Sequence, residues 1–238
     1  MKISDFRTLA VAAGLAIGLL SSLTPAQAAS FVGPIRPYES LADSPFKSLP
    51  SFTLIDMTLL PDGLFSAAGV TGVTATPDGA IIGPGGAIDS VDGMGNNGHS
   101  LFSGDGAGGF TFTFDPVALG FTPTAAGIVW TDGVLPIHFS AVDANGNAIP
   151  GGITDATGCD FFCGDGNPTH FRFYGVEDSV GIKSITINST GGGGIEVDHL
   201  QFAQLPTTGN VPEPSTMALM LLTAGAFLAK AAHSRFRA

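Results

Sequence analysis

Seven consecutive residues, Gly109-Phe110-Thr111-Phe112-Thr113-Phe114-Asp115, alternate without a break, with three phenylalanines on one face and two threonines on the other. A period of two belongs to a β-strand, because successive side chains leave an extended backbone on opposite sides. The rest of the body repeats the theme in weaker form. Phe52–Leu60 is mixed and apolar, and Ile128-Val129-Trp130-Thr131 is β-rich, with Asp132-Gly133 read as its closing turn. Ile137–Val142 runs into Asp143-Ala144-Asn145-Gly146, which suits a type I hairpin turn with glycine at the left-handed position. Phe171–Val176, Gly181–Asn188 and Gly194–Gln204 complete the set.

No window in the body carries a capped helical stripe. Eight to ten short strands joined by glycine-rich turns predict an all-β, antiparallel β-sandwich, jelly-roll-like, ahead of an up-and-down barrel. Gly191–Gly194 is read as a hairpin tip. It lacks the Lys-Ser/Thr of a phosphate-binding loop, and no helix follows it.

Charge excludes one class of function. Between Ala29 and Asn210 there are 4 basic residues (Arg36, Lys47, Arg172, Lys183) and 18 acidic ones, so the body stands at 4 − 18 = −14, beyond the −11 of the whole chain. No cation patch is left to neutralise phosphates, and no nucleic-acid partner is expected.

The ends differ from the body. Lys2 and Arg7 precede the uncharged stretch Leu9–Leu20, and Ala26-Gln27-Ala28 supplies the small-x-small pattern that signal peptidase accepts. Residues 1–28 are therefore read as a signal peptide cut after Ala28, since 12 apolar residues are too few to span a bilayer. Near the C-terminus, Met217–Ala229 is apolar apart from Thr223. Counted over 215–232, with the Lys230 amine extended towards the headgroups, the stretch has 18 residues, roughly 27 Å long as a helix and sufficient for the hydrocarbon core. Lys230, Arg235 and Arg237 would keep its far end cytoplasmic. The domain scheme is 1–28 signal peptide, 29–50 lead, 51–205 sandwich, 206–210 linker and 211–238 terminal segment.

Ahead of the apolar stretch stands Val211-Pro212-Glu213-Pro214-Ser215-Thr216, kept extended by its two prolines. The order of Pro-Glu-Pro, apolar helix and basic tail over 211–237 resembles the PEP-CTERM sorting signal of bacterial surface proteins. The resemblance implies recognition of the motif (Val211, Pro212, Glu213, Pro214) by an exosortase, removal of the tail, and a Gram-negative type of host that exports exopolysaccharide. It also implies a precursor in the inner membrane and a mature protein at the cell surface or in the extracellular matrix. Short stretches of the body resemble a recurrent secreted PEP-CTERM family. Among them are Ala42-Asp43-Ser44-Pro45-Phe46, Asp89-Ser90-Val91-Asp92-Gly93, Gly98-His99-Ser100, Ala126–Gly133, Phe173-Tyr174-Gly175-Val176 and Gly194–Phe202. That likeness implies a shared fold and no chemistry. It departs at Phe171, where the family carries an acidic residue just before the arginine that is Arg172 here.

Several constellations bear on chemistry. Cys159 and Cys163 are the only cysteines, and an oxidising exported setting favours a disulfide between them. So short a loop contributes only about 2 kcal/mol by chain entropy. Asp89 and Asp92 lie in a glycine-rich segment, while Glu196 and Asp198 share a face of the last strand. Carboxylates about 7 Å apart on one face repel unless solvated, paired or metal-bound, so these four are the calcium candidates. His99, His138, His170 and His199 stand singly, without metal-ligand spacing, and read as structural. Trp130 offers a ring for stacking on a sugar, but its place between Val129 and Thr131 favours the core. For glycoside hydrolysis, Asp132 with Glu177 or Asp178 is the conceivable carboxyl pair. These readings favour a non-catalytic exported module that associates with exopolysaccharide. The alternatives are a secreted polysaccharide hydrolase and a calcium-binding structural matrix protein.

Overall fold

The strictly alternating run folds as expected: Phe110–Phe114 is a strand that buries its three phenylalanines and leaves Thr111 and Thr113 half-covered. The computed structural model describes residues 28–83, 91, 98–157 and 168–206. The expectations for Ala26, Asp89, Asp92, Cys159, Cys163, Val211–Pro214 and 215–232 lie outside these residues; Ala28 is described and exposed. The described strands all belong to the compact unit that ends at Leu205.

In chain order they are β1 (Ser30–Ile35), β2 (Thr53–Ile55), β3 (Gly63–Leu64), β4 (Val73–Thr76), β5 (Ala80–Ile82), β6 (Ser100–Ser103) and β7 (Phe110–Phe114). Then come β8 (Ala125–Gly133), β9 (Ile137–Asp143), β10 (Ile153–Asp155), β11 (Arg172–Glu177), β12 (Ile182–Ser189) and β13 (Ile195–Ala203). A single α-helical turn, α1 (Pro116–Leu119), is capped by Asp115, whose carboxylate accepts from the backbone N–H of Val117 and Ala118.

All strand pairs are antiparallel, in two sheets. The larger has the order β1-β11-β8-β13-β6-β5-β3, with β2 also on β13; the smaller has the order β10-β9-β12-β7-β4. Their facing sides share one core, in which Phe110, Phe112, Phe139, Ile185 and Ile187 of the smaller sheet meet Ile128, Trp130, Tyr174, Val197 and Phe202 of the larger. Ring pairs tie the sheets together: Phe139 with Tyr174 at 6.2 Å and Phe114 with Phe202 at 5.3 Å between centroids. The all-β, two-sheet expectation holds.

The larger sheet is buried on its second face too. Tyr38 and Phe46, from the segment preceding β2, pack with Val129, Phe171, Phe173 and Ala203 in a second apolar cluster. This segment forms a strap. It begins with β1 on the edge of β11, and the Tyr38 N–H donates to the Phe171 carbonyl. Two glycines make room beneath it. Gly127 and Gly175 face each other across β8 and β11, and a Cβ on either would strike the Phe173 ring. A sheet covered on both sides reads as a continuous buried run, and every residue of β13 is buried.

Two local readings are settled differently. Asp132-Gly133 is strand, not turn: they pair with Glu196 and Ile195, so β8 runs on to Gly133. The Asp143 turn forms as read. Its carboxylate accepts from the backbone N–H of Asn145 and Asn147 and from the Asn147 side chain, and Gly146 takes φ 87°.

Candidate functional site

The outward residues of β13 are Glu196, Asp198, His199 and Gln201, in a strand whose inward residues, Ile195, Val197, Leu200 and Phe202, belong to the core. Strict alternation would turn His199 inward. A bulge prevents this: Asp198 pairs with Val129 and Gln201 with Gly127, three steps on β13 against two on β8. His199 sits at φ 46°, in the left-handed region that a non-glycine residue adopts at a cost. The extra residue leaves Asp198 and His199 on the same face, under the strap.

All four are buried, so their polar atoms need hydrogen-bond partners. Ser44 of the strap donates to Gln201 Oε1 at 2.5 Å, Gln201 Nε2 donates to the Tyr38 hydroxyl at 2.7 Å, and that hydroxyl lies 3.3 Å from His199 Nδ1. The Tyr38 ring meets the imidazole edge-on. Asp198 Oδ1 accepts from the N–H groups of Met57 and His199, and Oδ2 accepts from that of Val91. The carboxylate thereby ties together two points far apart in the chain, the turn after β2 and the backbone of Val91. Burial pushes its pKa up, against the pull of His199 and of the N–H donors of His199 and Met57. Beside it, the Ser100 hydroxyl donates to Glu196 Oε2 at 2.8 Å.

Asp56 completes the group. Its Oδ1 caps the turn Met57–Leu59 through the Thr58 N–H, and one ligand atom each from Asp56, Asp198 and His199 lies within 4.8 Å of the others. Two carboxylates and an imidazole suit a divalent cation. Of the calcium candidates, Glu196 and Asp198 share this face. Asp56 and His199 were not read as partners, because 141 residues or more separate Asp56 from Asp198 and His199 and no local spacing reveals the contact.

The hydrolase pair is overturned. Glu177 pairs with Ala125 at the start of β8, whereas Asp132 lies seven residues further along that strand. At about 3.3 Å per residue they stand roughly 23 Å apart, far beyond the roughly 5–9.5 Å of glycosidase carboxyls. Asp178 sits at the Glu177 end, bonded through its N–H to Thr124. The cross-strand neighbour of Asp132 is instead Glu196. Trp130 is fully buried between the sheets, with its ring closed to a sugar arriving from outside.

A second buried polar group lies near Trp130. Arg172 Nη1 donates to Asp155 Oδ2 at 2.7 Å, the Tyr174 hydroxyl donates to the same oxygen at 3.0 Å, and the guanidinium lies 5.1 Å from the indole centroid. The acidic partner of Arg172 is thus Asp155, supplied by β10. Burial pushes Asp155 up, but the N–H and hydroxyl of Thr157, then Arg172 and Tyr174, outweigh it and leave the pKa below the ordinary value. Burial, then the Asp155 charge, raises that of Tyr174. Of the other histidines, His99 Nε2 approaches Asp62 at 3.2 Å, His138 bonds Thr154 and Thr190, and His170 ends a 3-10 turn.

No family model, no curated protein and no solved structure matches this chain. Among the described residues no helix is long and apolar enough to cross a membrane.

Proposed function

We propose that this chain is an exported surface protein, a PEP-CTERM type substrate of exosortase whose β-sandwich body associates with extracellular polysaccharide without catalysis. Signal peptidase cuts after Ala28. Residues 215–232 then hold the precursor in the inner membrane until exosortase, reading Val211-Pro212-Glu213-Pro214, removes the tail. The single observation that carries this reading is the order of Pro-Glu-Pro, apolar stretch and basic cluster at the end of a chain that opens with a signal-peptide pattern. Support for a jelly-roll-like topology comes from the chain crossing between sheets at each step from β6 to β9 and again from β10 to β13. Mass spectrometry of the exported product tests the sorting. The expected species begins at Ala29 and lacks Phe227; a product that retains Phe227 overturns removal of the tail.

A second reading, a calcium-binding structural matrix protein, is favoured by one contact. Val91, flanked in sequence by Asp89 and Asp92, donates its N–H to Asp198 beside Asp56 and Glu196. Because Asp198 already accepts three N–H bonds, calcium would draw on the other carboxylates for most of its six to eight oxygens. Melting with calcium and with EDTA decides it: a bound ion at a hundredfold excess over Kd adds about 2.7 kcal/mol and raises Tm, whereas coincident melts remove calcium from the account.

A further inference from the structure

The outer face of the smaller sheet is built differently from the rest of this acidic body. Strand register sets its side chains in rows. Thr74, Thr113, Ser184 and Val142 form one row, Thr76, Thr111, Thr186 and Ser140 the next, and Asn188, His138 and Thr154 a third. Eight of these eleven side chains carry a hydroxyl, none carries a carboxylate or an amine, and His138 is the sole ionisable group among them. The 18 acidic residues of the body all fall elsewhere. Thr74, Thr76, Ser140 and Thr154 are exposed, the central threonines half-exposed and Ser184 buried among them, so seven of the eight hydroxyl side chains reach solvent.

Threonine favours strands, which accounts for hydroxyls on a sheet but not for the absence of carboxylates from these rows in a body at −14. Neighbouring rows repeat about every 6.8 Å along a strand, and neighbouring strands about every 4.8 Å across it. Some of the hydroxyls are already oriented: Thr111 and Thr186 share a hydrogen bond at 2.8 Å, and His138 Nδ1 holds Thr154 at 3.0 Å. Each hydroxyl both donates and accepts, as does each hydroxyl of a sugar. An anionic polymer would gain a single countercharge here, from exposed Lys183 at the β12 bulge beside Ser184, and an apolar partner would leave the hydroxyls unpaired at a cost.

We infer that this threonine-lined face is the contact surface for a neutral, ordered polysaccharide, held by hydroxyl-to-hydroxyl bonding rather than by ring stacking. The inference rests on the proposed association with polysaccharide and adds where, and to what class of glycan, the protein binds.

The test measures retention of the full chain, in mild detergent, on insoluble cellulose, chitin and α-glucan, with alginate as the acidic comparison. Three forms are compared: the unchanged protein, Thr76→Glu/Ser140→Glu on the rows, and Leu59→Glu in the turn after β2, where Leu59 is 80% exposed. Circular dichroism and melting confirm that each is folded. The expected result is retention on a neutral polymer that persists in high salt, falls about tenfold or more in the double variant and is unchanged in Leu59→Glu. Retention that survives the double variant overturns the face and leaves the polysaccharide reading standing. Retention on alginate alone overturns the neutral ligand. No retention of the unchanged protein on any polymer overturns the polysaccharide reading itself. Ice shaping that depends on Thr76 and Ser140, without polymer retention, assigns the face to ordered water instead.

Discussion

Two buried carboxyl groups have their pKa values shifted in opposite directions in this protein, and the difference lies in what faces them. Asp155 meets a guanidinium, two hydroxyls and an N–H, and its pKa is lowered despite burial. Asp198 meets three N–H donors and His199, and burial still raises it. A lowered folded pKa contributes stability that is present above the unfolded value, about 3.9, and is lost as pH falls through the folded value. A raised one makes the ionised form costly at neutral pH, a cost relieved as pH falls through the folded value. Asp155→Asn should therefore destabilise the fold by about 3 kcal/mol at pH 7, because Arg172 stays buried without its counter-charge. The loss should shrink as pH falls below about 3.9, where the unmodified protein surrenders the same contribution. Urea unfolding of both forms at pH 7 and in acid checks it, and a gap that does not change with pH sinks the ion-pair account. None of this was legible around Arg172 in the sequence. The partner is seventeen residues away on another sheet, and the neighbour in the chain is Phe171.

Strands whose own side chains alternate were legible: β7, β9, β12 and β13 sit where the pattern of two placed them. The short ones were not. β3, β5 and β10 are two or three residues long and are held by their neighbours rather than by a period of their own. The polar residues of β13 misled in another way. Glu196 and Asp198 stand two residues apart as on a wet face, yet both are buried and accept hydrogen bonds from Ser100 and from the N–H groups of Met57, His199 and Val91. Asp132-Gly133 looked like a turn because that dipeptide is a turn signal, but pairing with Glu196 and Ile195 overrides it. The glycines of β8 and β11 have a reason visible only in the packed sheet. A Cβ on Gly127 would meet the Phe173 ring and lie 2.6 Å from the Tyr174 carbonyl oxygen. Gly127→Ala should cost about 2–3 kcal/mol by overpacking, read as a lower urea midpoint at unchanged slope. A midpoint equal to that of the unmodified protein means the ring has another place to go.

At the scale of the molecule the informative error concerns where the fold begins. Residues 29–50 read as a polar, proline-containing lead to a domain starting at 51, because no periodicity marks them. They supply β1 on the open edge of β11, two of the four aromatic side chains of the second apolar cluster, Tyr38 and Phe46, and the Ser44 hydroxyl that ends the chain of hydrogen bonds from β13. Burying two such aromatics contributes about 3–6 kcal/mol, comparable to the whole net stability of an ordinary domain, about 5–15 kcal/mol. Their loss would also wet Val129, Phe171 and Phe173 and strand Gln201 and His199 on an apolar face. A chain lacking 29–50 should therefore bind a hydrophobic dye, lose its cooperative melt and exchange the β11 amides fastest, because their outer partners are gone. The double substitution Tyr38→Ala/Phe46→Ala should move the intact protein the same way by a smaller step. Cooperative unfolding of the shortened chain at the unmodified midpoint would mean that the larger sheet stands with one face bare, and that the strap is a passenger rather than the third layer of this fold.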